Sequence, residues 1–188
     1  MDSKNNSLVL TSHSRLANWL ILNHNRQQNQ KKAWETPNIL SISSWLKNVW
    51  LGAWPDQYLL SKIQSESLWK KIIQNDVYIK KLSVIHKESL TGQAFKAYTL
   101  VNEYRIMLNK KNFLETTETH SFFKWTKEYN KQLLEWNAID ESSLMDRISK
   151  FIDEGKINLP TSIIFKGFKN KTPQLQSLLD SLERKNVK

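Results

Sequence analysis

Residues Leu159 to Leu182, LPTSIIFKGFKNKTPQLQSLLDSL, decide the fold. Ser162-Ile163-Ile164-Phe165 is a β-branched and aromatic run that suits a buried strand. Gly167 follows, where the chain can turn sharply without a Cβ in the way. Thr172-Pro173 reads as a helix start, with threonine at the N-cap and proline at the first helical position. Leu175, Leu178, Leu179 and Leu182 supply the apolar stripe of that helix. Strand, turn and helix make half of a βαβ unit, which needs parallel strands beside it. The candidates lie about 120 residues or more upstream. The expected fold class is therefore α/β, mostly helical, with a partial parallel sheet and a large all-helical insertion.

Upstream, Leu8-Val9-Leu10-Thr11 reads as a short buried strand. Ser12 or Ser14 can cap the helix after it, whose stripe includes Leu16, Trp19 and Leu20 before the polar tract Asn25 to Lys32. Glu35-Thr36-Pro37-Asn38 is a turn, and Ile39-Leu40-Ser41-Ile42 a second strand. Ser43 or Ser44 then caps a helix through Trp45, Leu46, Val49 and Trp50 that stops before Pro55. Residues 8–11, 39–42 and 162–166 are expected as parallel strands of one sheet. From Gln57 to Leu159 no further strand is expected. A bundle of helices fills that stretch: one opening at Leu60-Ser61, a less regular stretch from Val77 to Leu90, and a third carrying Ala94, Ala97, Val101 and Leu108. Thr119 and Asp140 are read as caps of two more.

With 188 residues the chain is long enough for one good-sized domain, or a core plus a subdomain. A hydrophobic content of 39%, including 8 Trp and 7 Phe, supports a packed interior rather than disorder. No apolar run approaches the ~20 residues that span a bilayer, and the N-terminal MDSKNNSLVLTSHS lacks a signal-peptide core. Zero cysteines exclude a disulfide scaffold and thiolate metal sites, and fit a cytoplasmic location. The net charge of +10 invites a nucleic-acid partner. It is spread evenly, however: +3 over residues 1–60, +4 over 61–151 and +3 over 152–188. Lysines outnumber arginines 23 to 5, and arginine is the better marker of specific phosphate contacts. A basic binding surface and a generally basic solvated surface both stay open.

Catalytic patterns are missing. The histidines, at 13, 24, 86 and 120, are isolated, so no metal is expected. Asp140-Glu141 and Asp153-Glu154 sit at helix ends, where capping accounts for them, whereas a two-metal nuclease needs separated, converging carboxylates. A phosphate-cradling G-x-x-x-x-G-K-[ST] is absent, since the only glycines are at 52, 92, 155 and 167. After the strand 162–165, where a working NTPase keeps acids for Mg²⁺, stands Lys166. No cofactor, no nucleotide site and no catalytic residue are expected. Trp19, Trp45, Trp50, Trp69, Trp125 and Trp136 occupy apolar helical positions and read as core, while Trp34 and Trp54 lie beside turns and are freer to face outward.

What remains is a binding crevice. Open α/β sheets bind ligands outside the C-terminal ends of their strands, where helix N-termini present free N–H groups. Thr11, Ser12, His13, Arg15, Ser43 and Ser44 converge there, with Ser41 and Lys166 at the strand ends. Each has a plainer reading. Ser44 can be an N-cap and His13 a surface histidine; Arg15 can flank a helix, and Lys166 can solvate a strand end.

Three segments carry a resemblance: Gly167-Phe168 with Thr172-Pro173-Gln174 and the leucine helix; AWETPNILSISSWL, residues 33–46; and Thr11 to Ala17 with its Arg-Leu-Ala. They resemble the N-terminal region of AddB-like bacterial DNA repair proteins, which carry a degenerate UvrD/Rep-type helicase fold and a RecB-type nuclease domain further downstream. The resemblance implies a partial RecA-like (P-loop NTPase-like) layer at residues 1–55 and 156–188 enclosing a helical subdomain at 56–155. It places Ser41-Ile42-Ser43-Ser44 at the helicase T-x-x-S element. AddB relatives typically keep Asp-Gly-Phe where this chain has Lys166-Gly167-Phe168, so even that acid is replaced by a cation. The implied role is non-catalytic: contacting DNA, single-stranded or at duplex ends, or supporting the nuclease of a repair and recombination helicase–nuclease protein. The chain is expected to be cut short after Arg184 to Lys188. The alternative is a helical protein–protein docking module for a second helicase–nuclease subunit.

Overall fold

The computed structural model describes residues 7–28, 32–76, 84–109 and 116–188, with side chains of 84–87 outside that description. Its elements are β1 (Ser7–Thr11), α1 (Ser14–Gln27), β2 (Ile39–Ser41), α2 (Ile42–Gly52), β3 (Tyr58–Leu59), α3 (Lys62–Asn75) and α4 (Val84–Glu103). They continue as α5 (Thr117–Glu135), β4 (Ala138–Ile139), α6 (Glu141–Asp153), β5 (Ser162–Lys166) and α7 (Pro173–Arg184). The protein is α/β and mostly helical, with a three-stranded parallel sheet. The chain divides into two units: Met1–Trp54 with Asp146–Lys171 and Leu175–Lys188, and Pro55–Met145 with Thr172–Gln174.

In the first unit the strand order is β2-β1-β5, so the third strand pairs with the first despite the long separation between them. The register sets Leu10 beside Leu40 and Phe165, and Thr11 beside Ser41 and Lys166. All three strands therefore end abreast. Leu8 and Leu10 are buried, and Ile163 on β5 is buried with them. The amphipathic stripe Leu175, Leu178 and Leu182 is buried on α7, as are Trp45, Leu46 and Trp50 on α2. The expected boundary near residue 155 falls instead inside α6, whose second half belongs to the sheet unit. Ile148 and Ile152 are buried there, and Phe151 stacks flat on Trp50 with centroids 5.5 Å apart. Asp153, read from sequence as a capping acid, instead takes a forked pair of hydrogen bonds from Arg184 Nη2 at 2.9 Å each.

The second unit is built on α3, α4, α5 and the start of α6. Trp69 is its centre, fully buried among the rings of Tyr129 (4.9 Å), Tyr98 (5.4 Å) and Phe122 (6.2 Å). Leu60, Leu68, Ile73, Ala94, Trp125, Leu133 and Ala138 are the other buried members of its cluster. A capping box starts α3, Ser61 Oγ accepting from Gln64 N–H and Gln64 Oε1 from Ser61 N–H. The α5 box is centred on Thr116, with Thr119 as its reciprocal partner rather than the cap expected from sequence. The sequence also hides a ladder: β3 and β4 pair in parallel, Tyr58 beside Ala138 and Leu59 beside Ile139. Two-residue strands carry no period-2 signal, which is why no strand is expected between 57 and 159. The stretch Val77 to Leu90 is α4 from Val84 onward, and its earlier part lies outside the described residues.

Beyond β4 the carboxylate of Asp140 is buried without a cation among its described partners. Four hydrogen bonds hold it: from Tyr129 Oη (3.0 Å), Ser142 Oγ (2.7 Å), Ser143 N–H (3.2 Å) and Ser143 Oγ (3.3 Å). The network extends through Asn102 Nδ2, which donates to Ser142 Oγ, and Gln174 Nε2, which donates to the Ser142 carbonyl. Burial and the nearby Asp140 charge hold the Tyr98 and Tyr129 hydroxyls well above the usual tyrosine range. Two tryptophans depart from the core reading. Trp19 is 58% exposed and Trp136 50%, because α1 buries only Ala17 and α5 ends just before Trp136.

Candidate nucleic-acid interface

The aligned ends of β1, β2 and β5 bring one chemistry to one edge. After Thr11 only Ser12 and His13 intervene before α1 begins. Thr11 is fully buried, and its hydroxyl donates to the carbonyl of His13 (3.0 Å) or of Leu40 (3.3 Å), tying the turn to β2. The N-cap of α1 is His13, not Ser12 or Ser14: its backbone is extended and Nδ1 accepts from Leu16 N–H at 3.1 Å. A neutral imidazole that accepts at Nδ1 carries its proton on Nε2. Ser12 N–H donates to the Lys166 carbonyl at 3.1 Å, joining this turn to the end of β5.

The second helix start is a hydroxyl cluster. Ser41, buried at the end of β2, is the N-cap of α2 in place of Ser43 or Ser44. Its Oγ accepts from Ser44 N–H (3.2 Å) and lies within hydrogen-bond distance of Ser43 Oγ (3.1 Å) and Ser44 Oγ (2.8 Å). Ser14 Oγ donates to the same oxygen at 3.2 Å, a member of the cluster that is not among the site residues expected from sequence. Ile42, expected to close the strand, is already the first helical residue. Capping thus uses one N–H of each helix, and the first-turn N–H groups before it have no acceptor within the helix.

Gly167 closes the third side. Its φ of +81° is a left-handed value, and a Cβ there would lie 2.5 Å from Leu16 Cδ2 and 2.9 Å from Ser12 Oγ. This turn approaches α1 closely, next to the point where the β1–β5 register sets Lys166 beside Thr11. Arg15 and Lys166 are exposed, as are Lys169 and Lys171 in the following loop. Neither α1 nor α2 has an acid in its first turn. Thr11, Ser12, His13, Ser41, Ser43, Ser44 and the backbone of Lys166 are linked to one another by hydrogen bonds or strand pairing, and Arg15 stands on the adjoining helical turn.

The arrangement is an anion-receptive edge: hydroxyls, cations and the N–H groups of two first turns that hold no acid. The two-residue link from β1 to α1 is too short to wrap a triphosphate as a glycine-rich loop does. Among the described residues, no three His, Asp or Glu side chains gather into a metal-sized cluster, and no helix is long and apolar enough to cross a membrane. Compared with protein-family models and with curated proteins, the chain matches none.

Proposed function

We propose that this chain is a non-catalytic, helicase-like part of a DNA repair or recombination protein of the helicase–nuclease type, and that its sheet edge contacts DNA. The observation that carries the reading is the alignment of Thr11, Ser41 and Lys166 at the ends of three parallel strands, with two capped helix starts beside them. Strand order and the placing of a helical stretch between β2 and β5 along the chain support a RecA-like layer whose nucleotide machinery has been lost. The absence of a cradle loop and of an acid after β5 leaves the edge suited to phosphates of a nucleic-acid backbone.

Arg15 is the most informative residue, since it offers a fixed positive charge and a fork that matches phosphate. Single-stranded DNA binding measured against salt is expected to give a log–log slope that flattens by roughly 0.7 in Arg15→Ala, the value for one phosphate no longer neutralised. An unchanged affinity and slope with the fold intact would remove the edge from the DNA path. A second reading, a docking module for a partner subunit, is favoured by Ile63 and Leu134, which stand 75% and 80% exposed in the helical unit. It takes over if the parent protein fails to bind DNA at about 50 mM salt, where electrostatic attraction is strong.

A further inference from the structure

The helical unit carries a second feature that the sheet edge does not explain. An open groove of about 500 Å³ lies between the C-terminal end of α3 and the outward side of α5. His120, Lys124, Lys127 and Lys131 all line it. Their spacings of four, three and four residues put them on one helix face, along a span of roughly 16 Å at 1.5 Å per residue. Phe123 lines the same groove, with the Lys127 ammonium 4.7 Å from its ring centroid.

The groove is built as well as charged. Buried Asp76, at the end of α3, accepts from Trp125 Nε1 at 2.8 Å and faces Lys124 Nζ at 3.7 Å. That carboxylate anchors the α5 wall from beneath and holds the lysine at the rim. Lys131 lies 3.7 Å from Glu135, outside the groove lining, and Glu128 is the exposed acid within it. A row of cations beside an aromatic ring is the pairing that single-stranded nucleic acid selects: backbone phosphates track the charges while a base stacks on the ring. An acidic peptide would use the lysines and leave Phe123 without a role.

We propose that this groove is a binding site for single-stranded nucleic acid, with Lys124, Lys127 and Lys131 contacting successive phosphates and Phe123 stacking on a base. The site is separate from the sheet edge and stands or falls independently of it.

The test is fluorescence anisotropy of a labelled oligothymidylate against salt, for the full 188-residue chain and its variants. The triple variant Lys124→Gln, Lys127→Gln, Lys131→Gln also removes the cation beside buried Asp76, so its Tm is expected to fall, and a retained cooperative transition above the assay temperature confirms that it is folded. Its log–log salt slope is expected to flatten by about 2, from roughly 0.7 for each neutralised phosphate. Phe123→Leu is expected to weaken binding about tenfold while leaving the slope unchanged, since stacking carries no counterion release. Glu128→Gln, which removes a repelling charge, strengthens binding. The proposal is overturned if the triple variant keeps the parent's affinity and slope. It is equally overturned if Phe123→Leu binds the oligonucleotide as the parent does, or if that substitution weakens polyglutamate binding as much as oligonucleotide binding. Weaker binding in Arg15→Ala with no change in the lysine triple would leave the sheet edge as the DNA contact and remove the groove.

Discussion

Asp140→Ala is expected to lower stability by about 2–4 kcal/mol, from orphaned buried donors and a lost helix cap, partly offset by removing a buried charge that has no cation among its described partners. The carboxylate is the acceptor for Tyr129, for Ser142 and for the first-turn N–H of Ser143. Alanine leaves these donors buried with nothing in place of the oxygens, and an orphaned buried donor costs about 1–3 kcal/mol. The helix cap of α6 disappears at the same time, worth about 1 kcal/mol. Asn102 and Gln174 are tied to Ser142, so the loosening reaches α4 and the Thr172–Gln174 segment. Urea denaturation of parent and variant measures the difference. A loss under about 1 kcal/mol would mean that water replaces the carboxylate and that the network is not closed.

Gly167→Ala is the counterpart in the sheet unit. The backbone there sits at a φ of +81°, where an L-residue with a Cβ costs about 1–2 kcal/mol. The added methyl also meets Leu16 Cδ2 and Ser12 Oγ. Both are ends of side chains that can move, so the clash adds less than a fixed backbone atom would. A total of about 2–3 kcal/mol is expected. For a protein of this size that lowers Tm by roughly 4–12 °C at 2–4 °C per kcal/mol. The same shift moves Ser12 and Leu16 against the start of α1, so DNA binding at the sheet edge should weaken as well. A Tm within about 1 °C of the parent would contradict the described turn.

The three strands of the sheet are legible in the sequence because each is a short apolar run followed by a helix start, and that grammar depends only on neighbouring residues. The caps are legible to within a few residues only. Thr11 bonds across to Leu40 and thereby sets where the turn begins, which moves the cap of α1 to His13. Ser41 is both strand end and cap, a double role that no propensity separates. The Asp140 network is hidden, since its members at 102, 129 and 174 are brought together only by packing. Trp19 departs from its core reading because a helical stripe marks an apolar face but not whether anything covers it. The α5 lysines are visible as spacing, yet in a chain with 23 lysines the spacing alone carries little weight. The groove and the neighbouring Phe123 single them out.

The central claim is that nucleic acid is held at the common end of β1, β2 and β5. Backbone amide NMR of the isotope-labelled chain, titrated with a short oligothymidylate, tests it residue by residue. The account predicts saturable shifts at Ser12 to Leu16, at Ile42 to Ser44 and at Lys166 to Lys171, whatever α5 does. Amides of those three segments that stay unmoved at saturating oligonucleotide would contradict it.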